Sequence, residues 1–95
     1  MASVYKIVSD TDPRVYVGST KEKLGKRLRR HRYKMLKFPH RKLYQAMSVN
    51  TDDWRIECVQ EYENISKKDL FTAELKAMCE LNATLNMKRP ISLPN

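Results

Sequence analysis

One acidic residue in this chain falls where an apolar side chain is expected. In a predicted helix that carries Leu70 and Leu75 on its buried face, Glu74 lies within the same arc, about 40° from Leu70. A carboxylate buried there needs a cation, a hydrogen-bond network or a raised pKa, because burying an unpaired charge is costly. Two interpretations stay open: an edge glutamate paired with a lysine or arginine, or a ligand for a divalent metal ion.

A histidine interrupts the apolar stripe of another predicted helix. His31 shares that stripe with Leu24, Leu28 and Met35. A lone histidine at such a position is either a hydrogen-bonded core residue or a group that moves protons. Arg27 lies four residues earlier and projects from the same side of the helix, which places a permanent positive charge beside the imidazole.

The elements that must position these residues follow from hydrophobic periodicity and turn signals. Residues 4–8 and 15–17 alternate as strands do, and the turn-rich segment between them predicts a hairpin. Tyr5 and Tyr16 are central in these two strands, where aromatic residues are common. Ser19 and Glu22 have the spacing of a capping box and predict the start of the first helix.

The rest of the chain predicts one more strand and two more helices. The first helix ends at Phe38-Pro39, and a short helix follows over 41–48. A strand begins at Trp54, a helix capped by Ser66 follows, and the tail over 86–95 is extended. The order β-β-α-α-β-α predicts an α+β domain spanning 1–95, with a small three-stranded antiparallel sheet flanked by helices.

Positive charge is concentrated in one segment of the 95 residues. The whole chain carries a formal charge of +8, whereas the segment from Lys21 to Gln45 has eleven basic residues against Glu22 alone. Such a patch attracts polyphosphates through counterion release, which favours a nucleic acid as the partner. A solvated helix face and an anionic membrane surface are the alternatives.

Several protein classes are excluded by composition. No apolar run reaches the length of about 20 residues that a membrane span needs, and the first residues do not form a signal peptide. Cys58 and Cys79 are too few for a disulfide framework and lack the spacing of zinc ligands. We therefore expect an intracellular protein with reduced thiols and no membrane partner.

Three runs of residues together resemble the GIY-YIG endonucleases. They are VYKI at 4–7, VYVGST at 15–20 and KRLRRH at 26–31, with Glu74 and Asn86 downstream. The first motif departs from the family pattern, since Ser3-Val4-Tyr5 stands where Gly-Ile-Tyr is usual. The resemblance covers nearly the whole chain and implies a sheet of three antiparallel strands flanked by helices.

The resemblance also implies a metal-dependent phosphodiesterase site. Tyr5 and Tyr16 are expected side by side at the scissile phosphate, with Tyr5 assisting deprotonation of water directly or through His31. Arg27 is expected to stabilise charge on phosphorus, and Glu74 to hold one Mg²⁺ or Mn²⁺. Because Glu74 is the one acidic residue that periodicity places on a buried face, a one-metal mechanism is favoured over a two-metal one.

Further residues enter the prediction with supporting roles. By the resemblance, Asn86 supports the site and His40 corresponds to a less regular family histidine. The predicted nucleic-acid contacts are Lys21, Lys26, Arg29, Arg30, Arg32 and Lys34.

The resemblance implies an endonuclease that acts on DNA. The charge pattern alone does not distinguish DNA from RNA, and the sequence does not show how the substrate is selected. RNA is not excluded, since the basic segment suits either nucleic acid. Because 95 residues leave no room for a separate targeting domain, a partner protein or a homodimer is expected to direct cleavage if it is selective. The rival hypothesis is a non-catalytic nucleic-acid-binding module of the same fold. A purely structural domain would leave the basic segment unexplained.

Overall fold

The computed structural model describes residues 1–86 and contains one antiparallel sheet and three helices. The elements in chain order are β1 (Ala2–Ser9), β2 (Tyr16–Thr20), α1 (Leu24–Lys37), α2 (Lys42–Val49), one turn of 3-10 helix (Thr51–Asp53), β3 (Trp54–Tyr62) and α3 (Lys67–Glu80). The α+β class, the three antiparallel strands and the order β-β-α-α-β-α predicted from the sequence are confirmed. Of the predicted extended tail, residues 87–95 lie outside the described residues.

Strand β1 is the centre of the sheet, whose order is β2-β1-β3. In this register Tyr5 lies opposite Gly18 on β2 and opposite Cys58 on β3. The pairing with β3 shifts between Val4 and Tyr5, which is a β-bulge beside the first tyrosine of the site. Bulges of this kind locally re-aim a side chain and are frequent next to active sites.

Different helices cover the two faces of the sheet. Because successive side chains of a strand point to opposite faces, neighbouring strand residues pack against different helices. Tyr5 and Ile7 pack in a cluster with α2 residues, and the partly buried apolar side chains of α1 lie against it. Val4 and Val17 pack in a second cluster with α3 residues such as Leu75. Residues of the edge strand β2, of α2 and of α3 line a common cleft.

The start of α1 differs from the prediction. The helix begins at Leu24 after Lys23, and no side chain caps it. The predicted cap residue Ser19 belongs instead to β2, where it pairs with Val4 on β1. Strand pairing has therefore outweighed the local capping signal. The predicted cap of α3 is confirmed, since Ser66 Oγ accepts a hydrogen bond from the backbone N–H of Asp69.

Within residues 1–86, every helix is too short or too polar to cross a lipid bilayer.

Candidate active site

A chain of hydrogen bonds links the central strand to both helices on its face. Arg27 Nε donates to the hydroxyl of Tyr5 over 3.1 Å, and that hydroxyl lies 2.7 Å from Nε2 of His31. On the other side of the imidazole, Nδ1 lies 3.0 Å from the hydroxyl of Tyr44. Tyr5 is 0% exposed and His31 is 3% exposed, so these polar groups satisfy one another inside the protein.

Gly18 makes room for the Tyr5 ring. The two residues are directly paired across β1 and β2, and a Cβ added at position 18 would lie 2.6 Å from Cζ of Tyr5. Real Cβ atoms do not approach a ring carbon so closely. The glycine of the YVGST run is thus required by a side chain on the neighbouring strand.

His31 is neutral in this environment. Burial lowers its pKa to about 3, and the charges of Arg27 and Lys34 act in the same direction. A neutral imidazole carries one ring proton and one lone pair. His31 therefore offers a ring lone pair to a neighbouring donor at neutral pH, while the same burial makes it a weak base.

Burial also decides the state of the two tyrosines. It raises the pKa of Tyr5 above its ordinary value, although the hydrogen bond and the charge of Arg27 oppose the change. It raises the pKa of Tyr16 as well, and the charges of Tyr5 and Glu74 add to that effect. In the protein alone both hydroxyls are protonated at neutral pH, so Arg27 by itself does not make a phenolate of Tyr5.

Tyr16 lies between the buried hydrogen-bonded residues and a cleft at the β2 edge of the sheet. The ring centroid of Tyr16 lies 6.4 Å from that of Tyr5 and 5.4 Å from that of His31. Tyr16 also lines an open cleft of about 530 Å³ together with Glu74 of α3 and Tyr44 of α2. The predicted tyrosine pair thus stands side by side, with Tyr5 behind and Tyr16 at the cleft.

Glu74 reaches the cleft from α3. Its Oε1 accepts a hydrogen bond from the Ser19 hydroxyl on β2 over 3.0 Å. Among the cations of the described residues, Lys76 pairs with Glu80, and Arg55 pairs with Asp10 and Glu57.

The donor set at the cleft fits a hard divalent cation that binds together with phosphate. Mg²⁺ keeps several waters and is commonly held by one or two carboxylates plus substrate phosphates. Glu74 offers one such carboxylate. No group of three or more His, Cys, Asp or Glu side chains that could hold an ion by itself is found among residues 1–86. A cage of several carboxylates, as two-metal nucleases use, is therefore not formed by this part of the chain.

Asn86 fastens the segment after α3 to the edge strand. Its Nδ2 donates to the carbonyl of Val17 over 2.7 Å, and its Oδ1 accepts from the N–H of Val17 over 2.8 Å. The side chain thereby substitutes for a neighbouring strand next to Tyr16. Both Asn86 and His40 line the cleft, and His40 is exposed.

The predicted nucleic-acid contacts lie on α1 and in the loop before it. Lys34 is half-buried, and the others are exposed: Lys21, Lys26, Arg29, Arg30 and Arg32. Arg30 is paired with Glu22, which leads into the helix. At 100° per residue, Arg30 and Lys34 lie on the flank of α1 that carries Arg27, Arg29 and Arg32 lie on the opposite flank, and Lys26 lies on the side away from the apolar stripe.

Sequence reasoning missed Tyr44. The predicted face of the short helix contains Leu43, Ala46 and Met47, whereas the structure buries Tyr44 as well and leaves it 3% exposed. The available signal was the phenol itself, because a tyrosine beside the apolar face of a helix needs a partner for its hydroxyl when buried. Its partner, His31, is thirteen residues away and lies on another helix.

Comparison with known proteins agrees with this geometry. The family model of the GIY-YIG catalytic domain matches residues 1–86. Among solved structures, the chain is similar to one described as the catalytic domain of homing endonuclease I-TevI, with 25% identity and a TM-score of 0.75. That match covers 90% of this chain and 94% of the other. No curated protein sequence matches the chain. The fold, the motif residues and the family match lead to one conclusion: this chain belongs to the GIY-YIG catalytic domain family.

Proposed function

We propose that this protein is a metal-dependent endonuclease that hydrolyses DNA phosphodiester bonds by a one-metal mechanism. Membership of a nuclease family and the likeness to a homing endonuclease catalytic domain support endonuclease activity. The observation that carries the proposal is the buried chain Arg27–Tyr5–His31 beside a cleft lined by Glu74. A module that only binds nucleic acid needs neither a buried phenol–imidazole pair nor a carboxylate near the bound phosphate.

The proton path in this proposal runs from water to Tyr5 and then to His31. The Tyr5 hydroxyl accepts the Nε–H of Arg27 and belongs to a side chain that is 0% exposed. The path therefore requires the Arg27 guanidinium to turn toward the phosphate and admit a water molecule to that hydroxyl. The water loses a proton to Tyr5 as the Tyr5 proton passes to Nε2 of His31, 2.7 Å away. The hydroxide attacks phosphorus, the bond to the 3′ oxygen breaks, and that oxygen takes a proton from water in the cleft.

The remaining residues bind and orient the substrate. Arg27 stabilises charge on the non-bridging oxygens, and Tyr16 contacts the phosphate from the cleft wall. Glu74 would hold a Mg²⁺ or Mn²⁺ ion, which would supply neutralising charge for the phosphate and the leaving oxygen. Asn86 keeps the edge strand, and hence Tyr16, in place. The products carry 5′-phosphate and 3′-hydroxyl ends.

DNA approaches along the basic flanks of α1 in this proposal. The exposed cations there contribute sequence-independent affinity through counterion release. We assign any sequence selectivity of cleavage to a partner protein or to a second copy of the chain. RNA uses the same electrostatic attraction and is a further substrate to test.

The sharpest test is Glu74→Gln in a nicking assay on supercoiled plasmid. The substitution keeps size and hydrogen-bonding capacity but removes the charge that would hold the metal. We expect the wild type to nick DNA with Mg²⁺ or Mn²⁺ and to be inert in EDTA. We expect Glu74→Gln to bind metal-free DNA as well as the wild type while cleavage falls by orders of magnitude.

Glu80→Gln is the matched control, because it changes an exposed glutamate of the same helix whose partner is Lys76. Cleavage by the wild type with all metal chelated would contradict the metal-dependent mechanism. Salt-dependent DNA binding without any metal-stimulated cleavage would support the non-catalytic module instead. A Glu74→Gln variant that unfolds, alongside a wild type indifferent to metal, would assign Glu74 a structural role.

A further inference from the structure

Tyr44 contacts Nδ1 of His31, whereas Tyr5 contacts Nε2, the other ring nitrogen. The Tyr44 hydroxyl lies 3.0 Å from Nδ1, and the Tyr44 ring centroid lies 6.0 Å from that of the imidazole. Tyr44 comes from α2, His31 from α1 and Tyr5 from β1. The imidazole is thus held between two phenols that three different elements bring together.

The donors and acceptors in these hydrogen bonds favour one of the two tautomers of His31. Arg27 only donates, so the bond from its Nε uses an acceptor site on the Tyr5 oxygen. Tyr5 is 0% exposed, so its own proton has to go to a protein acceptor. Among the described residues, the hydrogen-bond acceptor in contact with that hydroxyl is Nε2 of His31.

The opposite tautomer leaves a buried donor unused. With the proton on Nε2, the Tyr5 oxygen would accept from both Arg27 and His31, and its own O–H would have no partner in the bonds described above. An unsatisfied buried donor costs about 1–3 kcal/mol. Tyr44 is less constrained than Tyr5: it is 3% exposed and lines the cleft, where its O–H can donate to water.

We propose that Tyr44 is a positioning residue: its hydroxyl oxygen accepts the Nδ1–H of His31 and thereby keeps the Nε2 lone pair directed at Tyr5. In this arrangement both ring nitrogens of His31 and the Tyr5 hydroxyl have protein partners, and the Tyr44 O–H is left to water in the cleft. When His31 takes the Tyr5 proton during the proposed reaction, the Nδ1–H bond to Tyr44 is already in place to stabilise the imidazolium. That consequence rests on the proposed endonuclease function, whereas the tautomer of the resting protein does not.

The first experiment needs neither DNA nor metal. The chain contains two histidines, so the ring ¹⁵N resonances of His31 can be assigned in a ¹⁵N-labelled protein with a His40→Asn variant. We expect the wild type to carry the His31 proton on Nδ1. We expect Tyr44→Phe, which keeps the ring and removes the acceptor, to populate both tautomers, because either one then leaves a buried donor without a partner. Tyr62→Phe is the control, because that tyrosine packs in the cluster on the other face of the sheet.

A wild-type His31 protonated on Nε2 would overturn the proposal, and this result does not depend on whether Tyr44→Phe folds. An unchanged tautomer in folded Tyr44→Phe would overturn it as well.

The second experiment measures plasmid nicking and DNA affinity of the same variants. For Tyr44→Phe we expect an unchanged dissociation constant and a cleavage rate lower by at least about tenfold, within the roughly 10²- to 10⁴-fold that positioned proton transfer contributes. Tyr62→Phe is expected to cleave as the wild type does. Wild-type cleavage by folded Tyr44→Phe would overturn the positioning role while leaving the endonuclease intact. A wild type that does not cleave would refute the proposed function, and the tautomer would still be decided by the spectra.

Discussion

Acidification should destabilise this protein through His31. Burial lowers the pKa of this imidazole to about 3 in the folded state, against an ordinary value of 6.5 for an unfolded chain. Below pH 6.5 the unfolded chain takes up a proton that the folded protein refuses, so stability is complete above that pH and is lost as the pH falls toward 3. Each unit in this window costs about 1.4 kcal/mol for one group, so the free energy of unfolding falls by about 2 kcal/mol between pH 6.5 and pH 5.

The assay is urea or thermal denaturation at pH 7, 6 and 5, with unfolding monitored by circular dichroism. For a domain of this size, about 2 kcal/mol corresponds to a fall in Tm of roughly 8–16 °C. His31→Gln removes the titrating group, and His40→Gln is the matched control because His40 is exposed. Asp12 and Glu57 do not interfere in this window, because their pKa values lie below the ordinary carboxylate range through hydrogen bonds to Arg14 and Arg55.

We expect the wild type and His40→Gln to lose about 2 kcal/mol more than His31→Gln over this pH range. Since His31 is 3% exposed, solvent screening takes little from this value. If the wild type and His31→Gln lose stability in parallel, the imidazole is not held neutral by burial.

Three further substitutions test other parts of the site. Gly18→Ala should lower the free energy of unfolding by about 1–3 kcal/mol through collision with Tyr5, and an unchanged urea midpoint would show that the ring is not confined there. Asn86→Ala should cost about 1–3 kcal/mol in the same assay, because both backbone groups of an edge-strand residue lose their partner; no loss would mean that this pairing is not formed in solution. Charge reversal of Arg29 and Arg30 together should weaken DNA binding for all sequences alike and reduce its salt dependence, whereas an unchanged affinity would place the DNA path elsewhere.

The order and type of the elements follow from local patterns in this chain. Period-2 alternation marks β1 and β3, and period-3.6 stripes mark α1 and α3, because each element buries one face whatever it packs against. The same logic singles out Glu74 and His31 as polar residues on apolar faces. Their assignment to a nuclease site comes from the motif resemblance, since periodicity alone leaves the structural interpretations open.

The contacts among those residues depend on tertiary packing. Ser19 has a capping-box spacing to Glu22, yet strand pairing with β1 takes it into β2, where its hydroxyl reaches Glu74 on the distant helix α3. A local signal worth about 1 kcal/mol is weaker than the pairing of a whole strand. The chain of bonds from Tyr5 through His31 to Tyr44 likewise joins a strand and two helices, and no local pattern specifies a contact between residues 26 positions apart.

The clearest division between sequence and structure is at Gly18 and Tyr5. The motif containing this glycine can be recognised in the sequence. The reason for the glycine is the Tyr5 ring, thirteen residues earlier on the adjacent strand. The protonation states have the same origin. Residue type sets an ordinary pKa for histidine and tyrosine, whereas the removal of water by packing lowers one and raises the other. The sequence therefore determined which chemical groups are present, and tertiary burial decided the protonation state of each at neutral pH.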